Sequence, residues 1–216
     1  IAKSAGLLTA DKKDSQGLCF IGKVRLPDFL QQKLLPKKGK VIEIDHQSTL
    51  FNRKIPQLSE EINLEDLVKL TKPLPLHLNS GKSIGEHNGA HYYTVGQRKG
   101  LGIGGTPLPL FVIGIDTTEN LIFVGQGDNH PGLLRKGFSV LNEDIHWLRE
   151  DLKINNHETA RYKARIRYRQ QLQDCNLYQQ DSKMYFIFDE PQRAVAPGQF
   201  VAWYEGDQLI GSGVIS

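Results

Sequence analysis

Two stretches carry residue types that could do chemistry. KKDSQGLCFIG, residues 12 to 22, turns at Gly17 and places Cys19 at the edge of an apolar run. Lys12, Lys13 and Lys23 are near in sequence and could lower a thiol pKa from its usual value of about 8.5, which would make Cys19 a nucleophile. A small buried cysteine beside Phe20 and Ile21 is the plain alternative. RYKARIRYRQ, residues 161 to 170, alternates Arg161, Lys163, Arg165, Arg167 and Arg169 with Tyr162, Ala164, Ile166 and Tyr168. On a strand this puts all five cations on one face and the packing residues on the other. Same-face neighbours lie roughly 7 Å apart, so the cations repel unless something anionic answers them. A phosphate backbone would do so, as would acidic cross-strand neighbours such as Asp189 and Glu190. Tyr162 is assigned to the core, and Tyr168 either to the core or to the stripe.

Other motifs imitate sites without fulfilling them. GEHNGAHYYTVGQRKGLGIGG, residues 85 to 105, is glycine-dense but lacks dinucleotide-binding spacing and leads into a proline-punctuated strand rather than a helix. It reads as a wide turn presenting Gln97, Arg98 and Lys99, for structure or for an RNA backbone. NSGKSIG, residues 79 to 85, ends like a phosphate loop, but Leu76 stands where that loop needs its first glycine. His87 and His91 are spaced like helical zinc ligands, yet Gly89 between them opposes a helix, and no metal is expected. Cys175, in QDCNLY, reads as a strand residue of the core or edge.

These residues must be positioned by a chain of 216 residues with 39% hydrophobic and 24% charged content and a net charge of +3. That is room for two small domains, with no apolar run of the roughly 18 to 20 residues a membrane span needs. The expectation is a soluble, cytoplasmic protein. Two cysteines 156 positions apart suit a reducing compartment better than a disulfide framework. The opening IAKSAGLLTADKK has no secretory pattern and reads as the tail of a helix from a longer chain, ending near Gly6.

Helices are predicted over PDFLQQKLL (27 to 35) and over SEEINLEDLVKLT (59 to 71), the latter capped by serine. A strand is predicted at KGKVIEID (38 to 45), and further strands at HYYTVGQ and PLFVIGID, the last forming a hairpin with LIFVGQG across TTEN. GDNHPGLLRKG (127 to 137) reads as a linker. Six short strands then follow, in FSVLNED, RYKARIRYRQ, CNLYQQ, MYFIFDE, QFVAWYE and QLIGSGVIS, which suggests a small antiparallel barrel or sandwich.

KKDSQGLCFIG, GEHNGAHYYTVGQRKGLGIGG, YKARIRYRQQLQDC and FDEPQRAVAPGQFVAWYEGDQLIGSGVIS together closely resemble the tRNA-specific 2-thiouridylases. The resemblance covers nearly the whole chain except about residues 46 to 83, which replace what is usually a tight turn. It implies an α+β fold: residues 1 to 21 as the tail of a catalytic domain, 22 to 135 as a small mixed central domain with the 46 to 83 insertion, and 136 to 216 as an antiparallel β-barrel similar to elongation-factor domain 2. It implies sulfur transfer to C2 of wobble uridine in tRNAs for lysine, glutamate and glutamine. ATP, with magnesium, activates the C2 oxygen in the family's N-terminal domain, which has no counterpart in these residues. Cys19 matches the persulfide cysteine, and nucleotide binding and a disulfide bond belong to the same set of implied attributes. Arg167, Tyr168 and Gln199 match the family's tRNA contacts, with Arg165, Arg169, Arg98 and Lys99 as additions. The sulfur would come from a cysteine desulfurase or a relay protein. The reading of another class is a stand-alone RNA-binding module in which Cys19 is structural.

Overall fold

A computed structural model describes residues 4–6, 34–52 and 62–216. The chain divides into two compact units, residues 1–36 and 37–216. In the first, Ser4–Gly6 form a turn with Gly6 at φ +66°. Cys19 and most of the helix expected over 27 to 35 lie outside the described residues.

The second unit begins with a four-stranded mixed sheet ordered β2-β1-β4-β3. Its strands are β1 (Gly39–Glu43), β2 (Lys82–His87), β3 (Leu110–Asp116) and β4 (Leu121–Gln126). β1 runs parallel to β4, and the β3–β4 hairpin turns where Asp116 Oδ1 accepts the Thr118 and Glu119 amides, both at 2.9 Å. Alternate residues feed two cores: Val41, Val112, Ile122 and Val124 on one side, Ile42, Phe111, Ile113 and Phe123 on the other. Apolar clusters on both faces explain why LFVIGID reads as a continuous apolar run.

HYYTVGQ is not the strand its pattern predicts. Ala90–Tyr92 form a helical turn, with Gly89 at φ +140° and Gly96 at φ +87° breaking any extended run. Ala90 and Tyr93 instead pack on the first core, and Gly96 N and Gln97 O bond to Val112 on the edge strand β3 at 2.7 and 2.9 Å.

GDNHPGLLRKG is not a loose linker either. His130 is fully buried, Pro131–Leu133 form a helical turn, and Leu133 joins the second core. The ring of His130 lies where a side chain on Gly125 would stand, 2.5 Å from a Cβ built there. The chain therefore passes from sheet to barrel through packed structure.

The barrel is closed, in the order β10-β5-β8-β7-β6-β9. Its strands are β5 (Leu134–Trp147), β6 (Thr159–Arg165), β7 (Gln173–Gln180), β8 (Lys183–Arg193), β9 (Phe200–Glu205) and β10 (Gln208–Ile215). Trp203, Phe138, Phe186, Phe188 and Leu177 fill it, with Trp147 edge-on to Trp203 at 5.2 Å.

Helix α1 (Leu64–Thr71), within residues 46 to 83, packs on the outside of this barrel. Its cap is Asn63, whose Oδ1 accepts Asp66 N at 2.9 Å; the expected cap Ser59 lies outside the described residues. Leu67 and Leu70 bury against Tyr178, Tyr185 and Ile187, contributing about 2 kcal/mol each. Arg135 also donates to the Thr71 carbonyl. This cover explains why MYFIF in β8 is apolar at every position: Met184, Phe186 and Phe188 face the barrel interior, Tyr185 and Ile187 face α1.

Candidate nucleic-acid interface

The cation stripe is shorter than its alternation predicts. β6 ends at Arg165, and Arg167, Tyr168 and Arg169 belong to the turn before β7. The chain leaves the ladder because Gln170 Oε1 takes the Ile166 amide at 3.0 Å and Gln170 N closes on the Arg167 carbonyl at 3.1 Å. Gln170 is held in turn by Gln192, Nε2 to Oε1 at 2.6 Å.

Two of the three strand cations are answered within the fold. Arg161 pairs with Asp189, one of the two acids expected, and Lys163 stands 3.6 Å from Asp174. The other expected acid, Glu190, forms no ion pair among the described residues. The Arg161 pair holds the Asp189 carboxyl below the ordinary carboxylate range. Tyr162 and Ala164 face the core as expected.

The remaining arginines differ. Arg165 donates to the Tyr204 hydroxyl at 2.7 Å and to the Tyr168 carbonyl at 3.2 Å, with its guanidinium 4.9 Å over the Tyr204 ring. Arg167 Nη2 donates to the carbonyls of Arg193 and Ala194 at 3.0 and 2.8 Å. Burial, with Arg193 nearby, pulls Arg167 below the ordinary arginine value. Arg193 donates to the Asp128 carbonyl and lies 5.0 Å over the Phe111 ring. Among the described residues none of these three meets a carboxylate within ion-pair distance.

The other expected residues reach the same place through the turn at Ala194–Pro197. Ala194 has φ +53°, and a Cβ on Gly96 would sit 2.6 Å from its methyl, so the loop carrying Gln97, Arg98 and Lys99 touches the barrel here. Gln97 is structural: its Oε1 accepts Thr94 N at 3.1 Å and its Nε2 donates to the Lys99 carbonyl at 2.8 Å. Arg98 and Lys99 are left exposed. Gln199 Oε1 accepts the Ala196 amide at 3.1 Å, which ties the start of β9 to the same turn. A cavity of about 1010 Å³ runs beneath, between sheet and barrel, walled by Phe51, Leu70, Ile113 and Leu133 and reaching Val195 and Pro197.

Arg193, Phe200 and Tyr204 escaped the sequence reading. Arg193 lies outside the alternation, and the exposure of Phe200 depends on which residues the barrel turns outward.

The remaining candidates have structural settings. Cys175 is fully buried, donates to the Tyr162 carbonyl at 3.5 Å, and has its pKa pushed up to about 12 by burial. His87 is buried with Nδ1 accepting Gly89 N at 3.0 Å, and His91 meets the Tyr92 ring edge-on at 4.1 Å. Among the described residues no helix is long and apolar enough to cross a membrane.

The mixed sheet and the closed barrel overlap two domains that family models describe for tRNA-modifying proteins. Residues 138–215 match the aminomethyltransferase β-barrel domain, and residues 74–126 the tRNA methyl transferase PRC-barrel domain. Within that class the chain belongs to the tRNA-specific 2-thiouridylase family, matching its C-terminal portion. It is 53% identical over 220 residues to the tRNA-specific 2-thiouridylase MnmA of Christiangramia forsetii, covering all of this chain and 54% of that protein. Identity is 52% to the Flavobacterium johnsoniae protein of that name, again with 54% of it covered, and 38% to that of Pseudomonas aeruginosa, with 48% covered. The chain spans about half the length of the curated relatives it matches.

Proposed function

We propose that this chain is the tRNA-binding part of a tRNA-uridine 2-sulfurtransferase, and that it grips tRNA at the end of the barrel where Arg167 meets Ala194. The observation that carries this reading is convergence. Segments far apart in sequence, at Arg98–Lys99, Arg165–Tyr168, Arg193 and Gln199, are tied to one turn by hydrogen bonds and contacts. Among the described residues these three arginines meet no carboxylate, so a phosphate backbone would supply the missing charge.

The full reaction would be the ATP-dependent 2-thiolation of wobble uridine 34 in tRNAs for lysine, glutamate and glutamine, in which the terminal sulfur of a Cys19 persulfide bonds to the activated C2, AMP leaves, and a second thiol forms a disulfide with Cys19 to release the sulfur. A cysteine desulfurase or relay protein would recharge Cys19. NSGKSIG opens into the strand β2 and not into a helix whose amides could hold phosphates. The ATP chemistry would then belong to another part of the family's fold.

Arg167→Glu is expected to weaken tRNA binding and to lower the salt slope by about one phosphate's worth. An unchanged slope in titrations at several salt concentrations would remove the RNA assignment. Cys19→Ser in the complete enzyme is expected to abolish 2-thiouridine while tRNA affinity persists. Normal thiolation in nucleoside mass spectrometry would return Cys19 to a structural role.

A further inference from the structure

Two aromatic rings stand in water at the barrel end that carries Arg165 and Arg167: Tyr168 is 77% exposed and Phe200 67%. β6 and β9 pair with Lys163 opposite Tyr204 and Arg165 opposite Ala202. Arg165 is the last residue of that ladder on β6, and Arg167 and Tyr168 follow in the turn just beyond it. Trp203 and Val201 are fully buried, so alternation turns Phe200, Ala202 and Tyr204 to the outer face, the face of Lys163 and Arg165. Cations and rings thus interleave over two neighbouring strands and the turn beyond them.

A single exposed phenylalanine is ordinary on a protein surface. This one shares its face with Arg165, which meets no carboxylate among the described residues, on a surface that offers π-faces and positive charge together. Unpaired nucleic acid presents the complement, free base faces on a charged backbone. A duplex keeps its base faces stacked inside and shows mainly phosphates and 2′-hydroxyls.

We propose that Phe200 and Tyr168 form a stacking platform for unpaired nucleobases of RNA, with Arg165, Arg167 and Arg193 directed at the adjoining phosphates. The platform rests on the RNA reading proposed above and narrows it from charge attraction to recognition of a single-stranded segment. Its energy comes from stacking, so it carries little of the salt dependence that the arginines supply.

The test uses the full chain with two probes, an oligouridine of about ten nucleotides and a blunt RNA duplex of similar length. Phe200→Ala is expected to weaken oligouridine binding by about 5- to 150-fold with an unchanged salt slope, and to alter duplex binding by less than about twofold. Phe200→Trp should retain affinity, and Phe200→Leu should behave like Ala. Tyr168→Ala, in a turn outside the ladder, should repeat the selective loss, and thermal melts should match the parent because both rings are exposed. Parent-like binding by Phe200→Leu, or equal losses for both probes, overturns stacking. If Arg167→Glu weakens both probes while Phe200→Ala weakens neither, the platform alone fails. If Arg167→Glu also leaves both probes unchanged, the RNA reading fails with it.

Discussion

Arg167 Nη2 donates to the Ala194 carbonyl at 2.8 Å, and Ala194 holds φ +53°, a left-handed conformation in which an alanine is uncommon. The same residue donates its amide to the Leu133 carbonyl at 2.7 Å and rests its methyl against Gly96. One residue thus links the turn after β6, the segment entering the barrel, and the loop of the sheet that presents Arg98 and Lys99. Backbone strain at such a joint persists only because the surroundings fix it from several sides.

Gly96→Ala should therefore destabilise the protein. Gly96 has φ +87°, and its new methyl would meet that of Ala194 at 2.6 Å. Left-handed strain and overpacking together cost about 2 kcal/mol, roughly 4 to 8 °C in melting temperature. Adding Ala194→Gly removes the opposing methyl, so the double variant should recover part of the loss. Strict additivity in that cycle would show that the two residues do not press on each other.

Leu67→Ala tests whether α1 is fastened to the barrel. Leu67 has no exposed surface and packs with Leu70 against Tyr178, Tyr185 and Ile187, so truncation should cost about 2 to 5 kcal/mol of local packing. Because α1 lies outside the closed barrel, amide exchange should accelerate in α1 and stay slow in β7 and β8. Uniform acceleration across all strands would make α1 part of the cooperative core instead.

Much of this architecture was legible because the barrel strands obey period-two alternation, and the PLFVIGID hairpin is bounded by a turn whose aspartate closes it. HYYTVGQ failed because β-forming residue types were used as cover for a core while Gly89 and Gly96 broke the extension. The docking of α1 could not be read from the sequence: its apolar stripe announces a helix face but not the strand that receives it. At the site, alternation located Arg165 and Arg167 but overran the end of β6, since the bond from Ile166 to Gln170 that stops the strand is tertiary in its support. Arg193 joins them only through folding.

Acid should weaken the fold before its carboxylates titrate. His130 Nδ1 accepts Gly132 N at 3.1 Å while Nε2 faces the Ile44 carbonyl at 3.2 Å, so a second ring proton would point at an amide hydrogen. His87 accepts Gly89 N in the same way. Burial lowers both pKa values below the unfolded value of about 6.5. Their stabilising effect is complete above that pH and declines as pH falls, because the unfolded chain then binds protons the folded one refuses. Urea midpoints should drop between about pH 6.5 and 5. His130→Gln should flatten that drop, and an identical pH slope in the variant would place the effect elsewhere.

Cys175 should be chemically silent in the folded chain. With its thiol buried and its pKa pushed up to about 12, its thiolate at pH 8 amounts to about one part in ten thousand. In a Cys19→Ser chain, iodoacetamide should label Cys175 only as fast as the barrel opens, and urea should accelerate labelling in step with unfolding. The raised pKa also sets an alkaline limit. Stability is complete below the unfolded thiol value of about 8.5 and is lost as pH rises toward the folded value, a decline Cys175→Ala should lessen. Prompt labelling of the native chain without denaturant would contradict the burial and make Cys175 a rival to Cys19 as a sulfur carrier. Slow labelling leaves Cys19 as the cysteine from which transfer can start.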